Sequence, residues 1–259
     1  MPELPDVEIF RRYLSRTSLN KKIKEVEIDT AKIVEGISVS KLKKELQGKK
    51  FKTTKRIGKN LFVKIDKKWV LFHFGMTGFF KYFKDKKDKP KHTRLLISFS
   101  NGNNLSFVNT RLLGKVSIVE DLDNYLNQKK IGPDALKIDY KYFKQIVDKA
   151  NKNIKSFFMD QSKLAGSGNI YTDEILYQAK IKPKQKANKL SDKEKKKVFN
   201  KMKYVLKKAI DYQADPEKIP NSWLLNHRDQ SEQCPRCGKK IKKIKISGRS
   251  AYFCKNCQN

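Results

Sequence analysis

The segment CPRCGKKIKKIKISGRSAYFCKNC, residues 234–257, contains all four cysteines of this 259-residue chain. The cysteines form two Cys-x-x-Cys pairs, which residues 238–253 separate. Four thiolates at this spacing are typical of a tetrahedral zinc site, whereas a disulfide framework would scatter its cysteines along the chain. The pattern therefore predicts one structural zinc ion, with four ligands: Cys234, Cys237, Cys254 and Cys257.

The residues between the two cysteine pairs are strongly basic, as is the whole chain. Lys239 to Arg249 carry six cations and no acid, and the full sequence has 60 Lys plus Arg against 27 Asp plus Glu, a net charge of +33. An AT-rich genome would favour lysine over arginine, but it would not remove the balancing acids. The excess favours nucleic acid as the partner, ahead of an anionic membrane surface.

The periodicity of apolar residues divides the chain into three segments. Short strands with turn residues such as Asn101-Gly102-Asn103 dominate up to about residue 120, and helical patterns follow, the last with a capping box at Ser191 and Glu194. We expect an α+β multidomain protein with an N-terminal β-sandwich and flanking helices, a helical domain, and a C-terminal zinc-finger β-hairpin. The expected boundaries are 1–120, 121–229 and 230–259.

The N-terminus and the apolar runs give no sign of export or of membrane insertion. Residues 1–6 carry acids where a signal peptide needs cations, and the most apolar run, Trp69 to Phe74, is only long enough for a strand. We expect no targeting signal and no membrane partner. The expected location is the cytoplasm, the nucleoid or another intracellular compartment that contains DNA.

Pro2 and Glu3 form a candidate catalytic pair at the start of the chain. Removal of Met1 would leave a secondary amine on Pro2, and an α-amino group titrates near about pH 8, so a good fraction is neutral and nucleophilic. Such an amine can attack a sugar C1′ and form a Schiff base, with the adjacent Glu3 carboxyl transferring protons. The alternative is an ordinary helix start, in which the two residues only cap the helix.

Five motifs resemble those of the formamidopyrimidine-DNA glycosylase/endonuclease VIII (Fpg/Nei) family, in the same order along the chain. PELPDVE at 2–8 is similar to the family's opening, with Asp6 in place of the usual Glu. GKNL at 58–61 looks like its lysine-bearing β-turn, and HFGMTG at 73–78 like its base-replacing segment. The others are DQ at 160–161 with AGSGNIYTDE at 165–174, similar to the helix–two-turn–helix signature, and GRS at 248–250 in the zinc finger.

The resemblance implies a bifunctional DNA glycosylase and abasic-site lyase that excises oxidised purines in base excision repair. Pro2 would form the Schiff base, Glu3 would assist, and Lys59 and Arg249 would act in β,δ-elimination. The helical domain would be a helix–two-turn–helix domain, and the branch is nearer to Fpg because Leu4 matches the purine-specific opening. The only cofactor would be one structural zinc ion, with no redox cofactor.

The resemblance also implies residues that contact DNA. The expected partner is double-stranded DNA containing an oxidised base or an abasic site, and we expect a monomer. Backbone N–H groups of residues 166–169 precede a helix and are expected to grip a phosphate. The side chains expected to contact DNA are Met76, His92, Arg111, Asn169 and, more weakly, Lys155.

Two departures from the Fpg pattern leave the preferred base open. Leu112 and Leu113 stand where that branch has a second arginine and an aromatic wedge, and either leucine could enter the duplex. Residues 213–222 are shorter than the loop that closes over 8-oxoguanine. The alternatives are an endonuclease VIII-like enzyme that prefers oxidised pyrimidines and a non-catalytic damaged-DNA-binding paralogue. A zinc-ribbon nuclease would need a metal-binding carboxylate cluster, which the sequence lacks.

Overall fold

The structure is a computed structural model that describes residues 1–259. The chain folds into two compact units. The first unit contains residues 1–2 and 6–129, and the second contains residues 3–5 and 130–259. None of the helices combines the length and the apolar character that crossing a membrane would require.

The first unit contains two four-stranded antiparallel sheets and three helices. The helices are α1 (Leu4–Ser18, whose first residues belong to the second unit), α2 (Val39–Leu46) and α3 (Leu122–Gln128). The strands are β1 (Ile23–Ile28), β2 (Thr54–Ile57), β3 (Asn60–Ile65), β4 (Lys68–His73), β5 (Phe79–Phe83), β6 (Thr93–Phe99), β7 (Asn104–Val108) and β8 (Lys115–Val119). One sheet has the order β1-β6-β7-β5 and the other β2-β3-β4-β8.

Both sheets contribute to one apolar core, which confirms the predicted sandwich. Phe72 of β4 lies 5.0 Å from Phe80 of β5 and 5.7 Å from Phe107 of β7, measured between ring centroids. Rings at this separation and tilt pack favourably beyond their buried area. Strand β5 was not expected from the sequence, because FFKYF lacks a strict apolar–polar alternation.

The second unit is a helical bundle with a two-stranded hairpin. Its helices are α4 (Tyr140–Asp148), α5 (Ile154–Met159), α6 (Asn169–Ala179) and α7 (Asp192–Asp211), and its hairpin is β9 (Lys242–Ile246) with β10 (Arg249–Phe253). The predicted capping box at Ser191 and Glu194 is present at the start of α7. The helical prediction for this region is therefore confirmed.

The cysteine segment packs against the helices of its own unit. Tyr177 of α6 and Leu224 form a small apolar cluster with Ile241 and two of the cysteines. This cluster explains why one compact unit contains both the helices and the cysteine segment. The α+β fold class with a C-terminal hairpin is confirmed.

Candidate active site and nucleic-acid interface

Glu3 is almost fully buried, and its carboxylate lies on the N-terminus of α6. Gly168 donates its backbone N–H to Oε2 at 2.6 Å, Ile170 donates to Oε1 at 2.8 Å, and Tyr171 donates to Oε2 at 3.3 Å. These N–H groups belong to the first turn of the helix, which has no intrahelical partners for them. The helix terminus thus fixes the position of the carboxylate that follows Pro2.

A glycine and a glutamine shape the loop that leads into α6. Gly166 has φ +128°, and a Cβ at this position would lie 2.4 Å from Leu4 Cδ1, so a larger residue would displace the Glu3 segment. Gln161 accepts from the Gly166 N–H at 3.0 Å and donates to the Ser167 carbonyl at 2.8 Å. Leu4 in turn donates its N–H to the Gly166 carbonyl at 3.1 Å.

For Gly166 and Gly168, the structure corrects the expectation that the backbone N–H groups of residues 166–169 grip a phosphate. The N–H groups of Gly166 and Gly168 already donate to Gln161 and Glu3. Asn169 is half-buried, and its Oδ1 atom is buried with no hydrogen-bond partner in the protein. Because Oδ1 can only accept, a phosphate would have to bind the Asn169 amide Nδ2 or other donors of the loop.

The structure corrects the predicted role of Lys155. Its side chain is fully buried and forms an ion pair with the equally buried Asp173, so a DNA phosphate cannot reach the ammonium. Asp173 also accepts from Arg228 Nη2 at 2.9 Å and from the Tyr252 N–H at 3.2 Å. Burial lowers the pKa of Lys155, and the charge of Asp173 opposes that shift. Lys155 therefore joins α5 to α6 and the hairpin.

Arg249 is exposed beside the turn of the hairpin, as the sequence predicts for a phosphate-contacting residue. Ser247 and Gly248 form the turn with φ values of +48° and +75°. The Ser247 hydroxyl lies 2.7 Å from that of Ser156 on α5, and Lys155 donates to the Ser250 carbonyl at 3.3 Å. These contacts hold the backbone on both sides of Arg249 against α5.

The four cysteines fit a tetrahedral zinc site. All four Sγ atoms lie within 4.8 Å of one another, with Cys234 and Cys257 at 3.9 Å and Cys237 and Cys254 at 3.5 Å. A tetrahedron with Zn–S bonds of about 2.3 Å has S–S edges of about 3.8 Å. The Gln258 amide supports the site, because it accepts from the Cys254 N–H at 2.9 Å and donates to the Ile181 carbonyl at 2.8 Å.

Lys59 lies half-buried in the turn between β2 and β3 in the first unit. Arg56 donates to the Gly58 carbonyl at 3.0 Å and to Glu8 Oε2 at 3.2 Å, which links the turn to α1. Burial raises the pKa of Glu8, but hydrogen bonds from Arg11 and Arg12 and the charges of Arg11 and Arg56 outweigh it and lower the pKa to about 2. The sequence alone did not identify this support.

The Met76 turn follows β4 and lies near Lys59. Asn60 pairs with His73 across the sheet, and burial, followed by the charge of Lys59, lowers the pKa of His73. A Cβ on Gly75, which has φ +61°, would lie 2.5 Å from the Leu113 carbonyl carbon. The tight approach of these two backbones requires glycine and leaves Met76 exposed by 39%.

Asn109 connects the predicted DNA-contacting residues of the first unit. It donates to the Phe74 carbonyl at 3.0 Å, accepts from the Leu113 N–H at 3.1 Å, and donates its own N–H to the His92 carbonyl at 3.0 Å. Because these segments meet, the exposed side chains of one edge include Met76, His92, Arg111 and Leu113. The fully buried Asn109 was missed because its partners lie far away in sequence.

Comparison with protein families identifies three matching segments. The formamidopyrimidine-DNA glycosylase N-terminal domain matches residues 1–116, its H2TH domain matches residues 131–219, and the zinc finger found in FPG and IleRS matches residues 231–259. The chain therefore belongs to the formamidopyrimidine-DNA glycosylase family, which confirms the resemblance seen in the sequence.

Curated relatives match along the full length of the chain. The formamidopyrimidine-DNA glycosylase of Mycoplasma mobile is 33% identical over 279 residues, covering 100% of this chain and 99% of the relative. That of Streptococcus mutans is 32% identical over 272 residues with the same coverage. The similarity thus extends over every segment discussed above.

Solved structures with the same fold include complexes with DNA. A Lactococcus lactis Fpg (MutM) bound to DNA containing N7-benzyl-Fapy-dG has a TM-score of 0.90 and 32% identity, with 99% of each chain covered. A MutM complex with DNA containing carbocyclic 8-oxo-G also has a TM-score of 0.90 and 32% identity, with 100% of each chain covered. Both comparisons support the same architecture for this chain.

Proposed function

We propose that this protein is a bifunctional DNA glycosylase and abasic-site lyase of base excision repair, with oxidised purines as its substrates. Its partner is double-stranded DNA that contains an oxidised base or an abasic site, and it acts as a monomer in an intracellular compartment that contains DNA. We propose that residues 1–120 form the catalytic domain, that residues 121–229 form the helix–two-turn–helix domain that binds DNA, and that residues 230–259 form the zinc finger.

The fixed Glu3 carboxylate is the observation that carries this proposal. Glu3 is 1% exposed and receives three backbone N–H groups, so its carboxyl is held in one place instead of extending into solvent. Pro2 directly precedes Glu3 in the chain, so the proposed nucleophile is one peptide unit from this fixed residue. A nucleophile next to a held proton-transfer group is the arrangement that imine chemistry needs.

The proposed reaction begins when the free Pro2 amine attacks C1′ of the damaged nucleotide. The C1′–base bond breaks, the base leaves with a proton, and the ring oxygen takes a proton through Glu3, which opens the sugar and gives an imine. Loss of a C2′ proton breaks the C3′–O bond, and a second elimination breaks the C5′–O bond. Lys59 and Arg249 would assist these two eliminations at the adjacent phosphates.

The exposed edge of the first unit suits a base-flipping enzyme. A base cannot be reached inside a duplex, so it must leave the stack and its place must be filled. Met76 and Arg111 are exposed there, with Met76 a flexible apolar wedge. Leu113 is 46% exposed, whereas Leu112 packs against the core, so we assign the second wedge to Leu113. His92 and Asn169 would contact phosphates.

The four thiolates would hold the zinc ion, which crosslinks the two cysteine pairs when bound. The hairpin that carries Arg249 starts and ends beside these pairs. The zinc ion therefore has a structural part in the proposed reaction, by keeping the position of Arg249. Chelation is expected to weaken strand cleavage through the loss of this hairpin.

The connector at residues 213–222 favours formamidopyrimidines over 8-oxoguanine. Asn226 donates to the carbonyls of Pro216 and Ile219 at 3.2 Å each, and Ile219 is buried. These contacts tie Pro216 and Ile219 to the turn at Leu224–His227, and a connector of this length is short for enclosing a flipped 8-oxoguanine. An oxidised-pyrimidine preference remains the second candidate, because this short connector also removes purine-specific contacts.

Excision from matched duplexes tests the proposal. Single-turnover rates are compared for a formamidopyrimidine, 8-oxoguanine and thymine glycol, and the ends of the cut strand are identified. We expect the formamidopyrimidine to react fastest, with phosphates on both sides of the gap. Much faster release of thymine glycol would move the substrate class to pyrimidines, and tight binding without release of any base would indicate the non-catalytic paralogue.

A further inference from the structure

The exposed side of α7 carries a row of lysines. Lys193, Lys197 and Lys201 recur every four residues, which places them on one stripe of a helix. Lys193 and Lys197 are exposed and Lys201 is half-buried. The proposed catalytic chemistry uses none of them, so the row calls for another explanation.

Two further cations join this row at the C-terminal end of α6. Lys180 caps the helix in the left-handed conformation, with φ +60°, and is exposed. Arg236 of the first cysteine pair donates to the Tyr177 carbonyl at 3.2 Å and lies 4.2 Å from the Tyr177 ring centroid. Helices α6 and α7 pack against each other. We call these five cations the basic patch: Lys180, Lys193, Lys197, Lys201 and Arg236.

The charges in the basic patch act on one another. The pKa of Lys197 is lowered, first by burial and then by the other four cations of the patch. The acids at the start of α7 are engaged in other contacts, since Asp192 pairs with Lys144 at 2.9 Å and Glu194 accepts from the Ser191 N–H at 2.7 Å. Clustered like charges oppose compaction, and a bound polyanion would remove that cost.

The cationic surface continues past Arg236 around the cysteine pairs. A depression of about 420 Å³ is lined by Lys239, Lys240, Lys242, Lys255 and Asn256. These lysines lie at the cysteine end of the hairpin, about 13 Å along the strands from Arg249 at a rise of about 3.3 Å per residue. The depression therefore adds phosphate-binding capacity away from the proposed elimination site.

The basic patch lies at the opposite end of α6 from Glu3. The helix has 11 residues, which corresponds to about 16 Å at a rise of about 1.5 Å per residue. Ammonium groups on flexible stems bind phosphates as point charges without reading sequence. Duplex DNA presents about one charge per 1.7 Å of its length, which matches a surface of many cations better than a single small anion does.

We propose that the basic patch binds the backbone of a second DNA duplex, so that the protein passes directly from one duplex to another. The proposal rests on the proposed function for the first duplex, which the Glu3 site would engage. Release from the first duplex then depends on the concentration of the second, because both are bound together during transfer.

Competitor-dependent dissociation tests the proposal on undamaged DNA. The full zinc-loaded chain is bound to a fluorescent duplex, and its release is followed at increasing concentrations of unlabelled duplex. We expect the release rate of the wild type to rise linearly with competitor and that of the K180Q/K193Q/K197Q variant to stay constant. For the second duplex binding to protein that already holds the labelled one, the variant's plot of log affinity against log salt is expected to be shallower by about 2.7, three contacts at about 0.9 each.

A charge-matched variant provides the control. Lys137, Lys141 and Lys149 are exposed in the same unit, so K137Q/K141Q/K149Q has the same net charge with the patch intact. It is expected to keep the competitor dependence of the wild type. Constant release of the wild type, equal losses in both triple variants, or a shallower salt plot with unchanged transfer would overturn the proposal.

Strand cleavage at an abasic site separates this proposal from the proposed function. The patch variant is expected to cleave a single short duplex at the wild-type rate, because the patch lies outside the Glu3 site. A wild type that fails to cleave but shows competitor-dependent release would contradict the proposed function and support the second DNA site.

Discussion

Two buried carboxylates of the second unit are held in opposite ways. Glu3 receives backbone N–H groups at the N-terminus of α6, while Asp173, four residues into the same helix, receives Lys155 and Arg228. Donors fixed in the backbone hold the Glu3 carboxyl in one position, which suits a group that transfers protons. A carboxylate between two cations is committed to structure. The difference separates a candidate catalytic acid from a crosslink on one helix.

Replacing Glu3 by Gln is expected to have the largest effect on activity. The amide keeps the size of the side chain but cannot transfer the proton, so single-turnover base excision should fall about 10²- to 10⁴-fold. Because the amide nitrogen cannot accept, at least one of the buried backbone N–H groups loses its acceptor, so the free energy of unfolding should also fall, by about 1–3 kcal/mol, without accounting for the loss of activity in the folded variant. A variant that excises at the wild-type rate would show that Glu3 is only a helix cap.

Replacing Asp173 by Asn tests the other carboxylate. The change leaves the buried Lys155 ammonium without its counter-charge, which should lower the free energy of unfolding by about 3–5 kcal/mol. Denaturant unfolding, followed by intrinsic fluorescence, measures this change in the free energy of unfolding. The double variant K155M/D173L should recover only part of the loss, since apolar residues replace the pair but Arg228 and the Tyr252 N–H lose their acceptor. A fall in the free energy of unfolding no larger than that of a surface substitution would contradict a structural role for the Lys155–Asp173 ion pair.

Glu174, on α6, is a third buried carboxyl, and its hydrogen-bond donors are a side-chain amide and a backbone N–H group. Burial raises its pKa to about 7, against hydrogen bonds from Gln178 at 2.7 Å and the Leu225 N–H at 2.8 Å. Because the folded pKa lies above the unfolded value of 4.5, this group's contribution to stability should fall as the pH rises from 4.5 through 7. The total fall is about 3 kcal/mol.

The E174Q variant removes this titration. The difference in unfolding free energy between variant and wild type should therefore shift in favour of the variant as the pH rises through that window. Urea unfolding at several pH values between 4 and 8 measures it, and a constant difference would contradict the raised pKa.

Replacing Glu8 by Gln is expected to have the smallest effect. Its pKa of about 2 lies below the ordinary glutamate value of 4.5, so its contribution should be complete above pH 4.5 and lost as the pH falls through 2. Because solvent screens Arg11 and Arg12, and the buried Arg56 keeps its bond to the Gly58 carbonyl, we expect a loss of about 1–2 kcal/mol at neutral pH, smaller in high salt. Unchanged stability together with slower β-elimination would instead indicate that Glu8 acts mainly through the Lys59 turn.

Local patterns in the sequence were enough to predict much of the fold. The spacing of the cysteines, the capping box at Ser191 and the turn glycines each act within a few residues, so their structural consequences can be read directly. The short β5 strand and α3 were missed because neither has a clear apolar period. The family motifs, rather than periodicity, identified Pro2 and Glu3 as a pair.

Contacts between distant segments explain the rest of the candidate site. Glu3 meets residues more than 160 positions away, and Asn109 orients Phe74, His92 and Leu113. Lys155 was predicted to contact DNA because the sequence does not show that Asp173 faces it across two helices. Its position just upstream of the helix–two-turn–helix motif was thus a poor guide, and the packing of α5 on α6 corrects its role.

Borohydride trapping on an abasic duplex tests most directly whether Pro2 forms the imine. The protein is made with a cleavable leader peptide fused before Pro2. With the leader in place, the Pro2 nitrogen is an amide and cannot form an imine; after cleavage, it is a free amine. We predict a covalent adduct only after cleavage, which mass spectrometry locates on Pro2. An adduct of equal yield before cleavage, or one located on a lysine such as Lys59, would contradict the account.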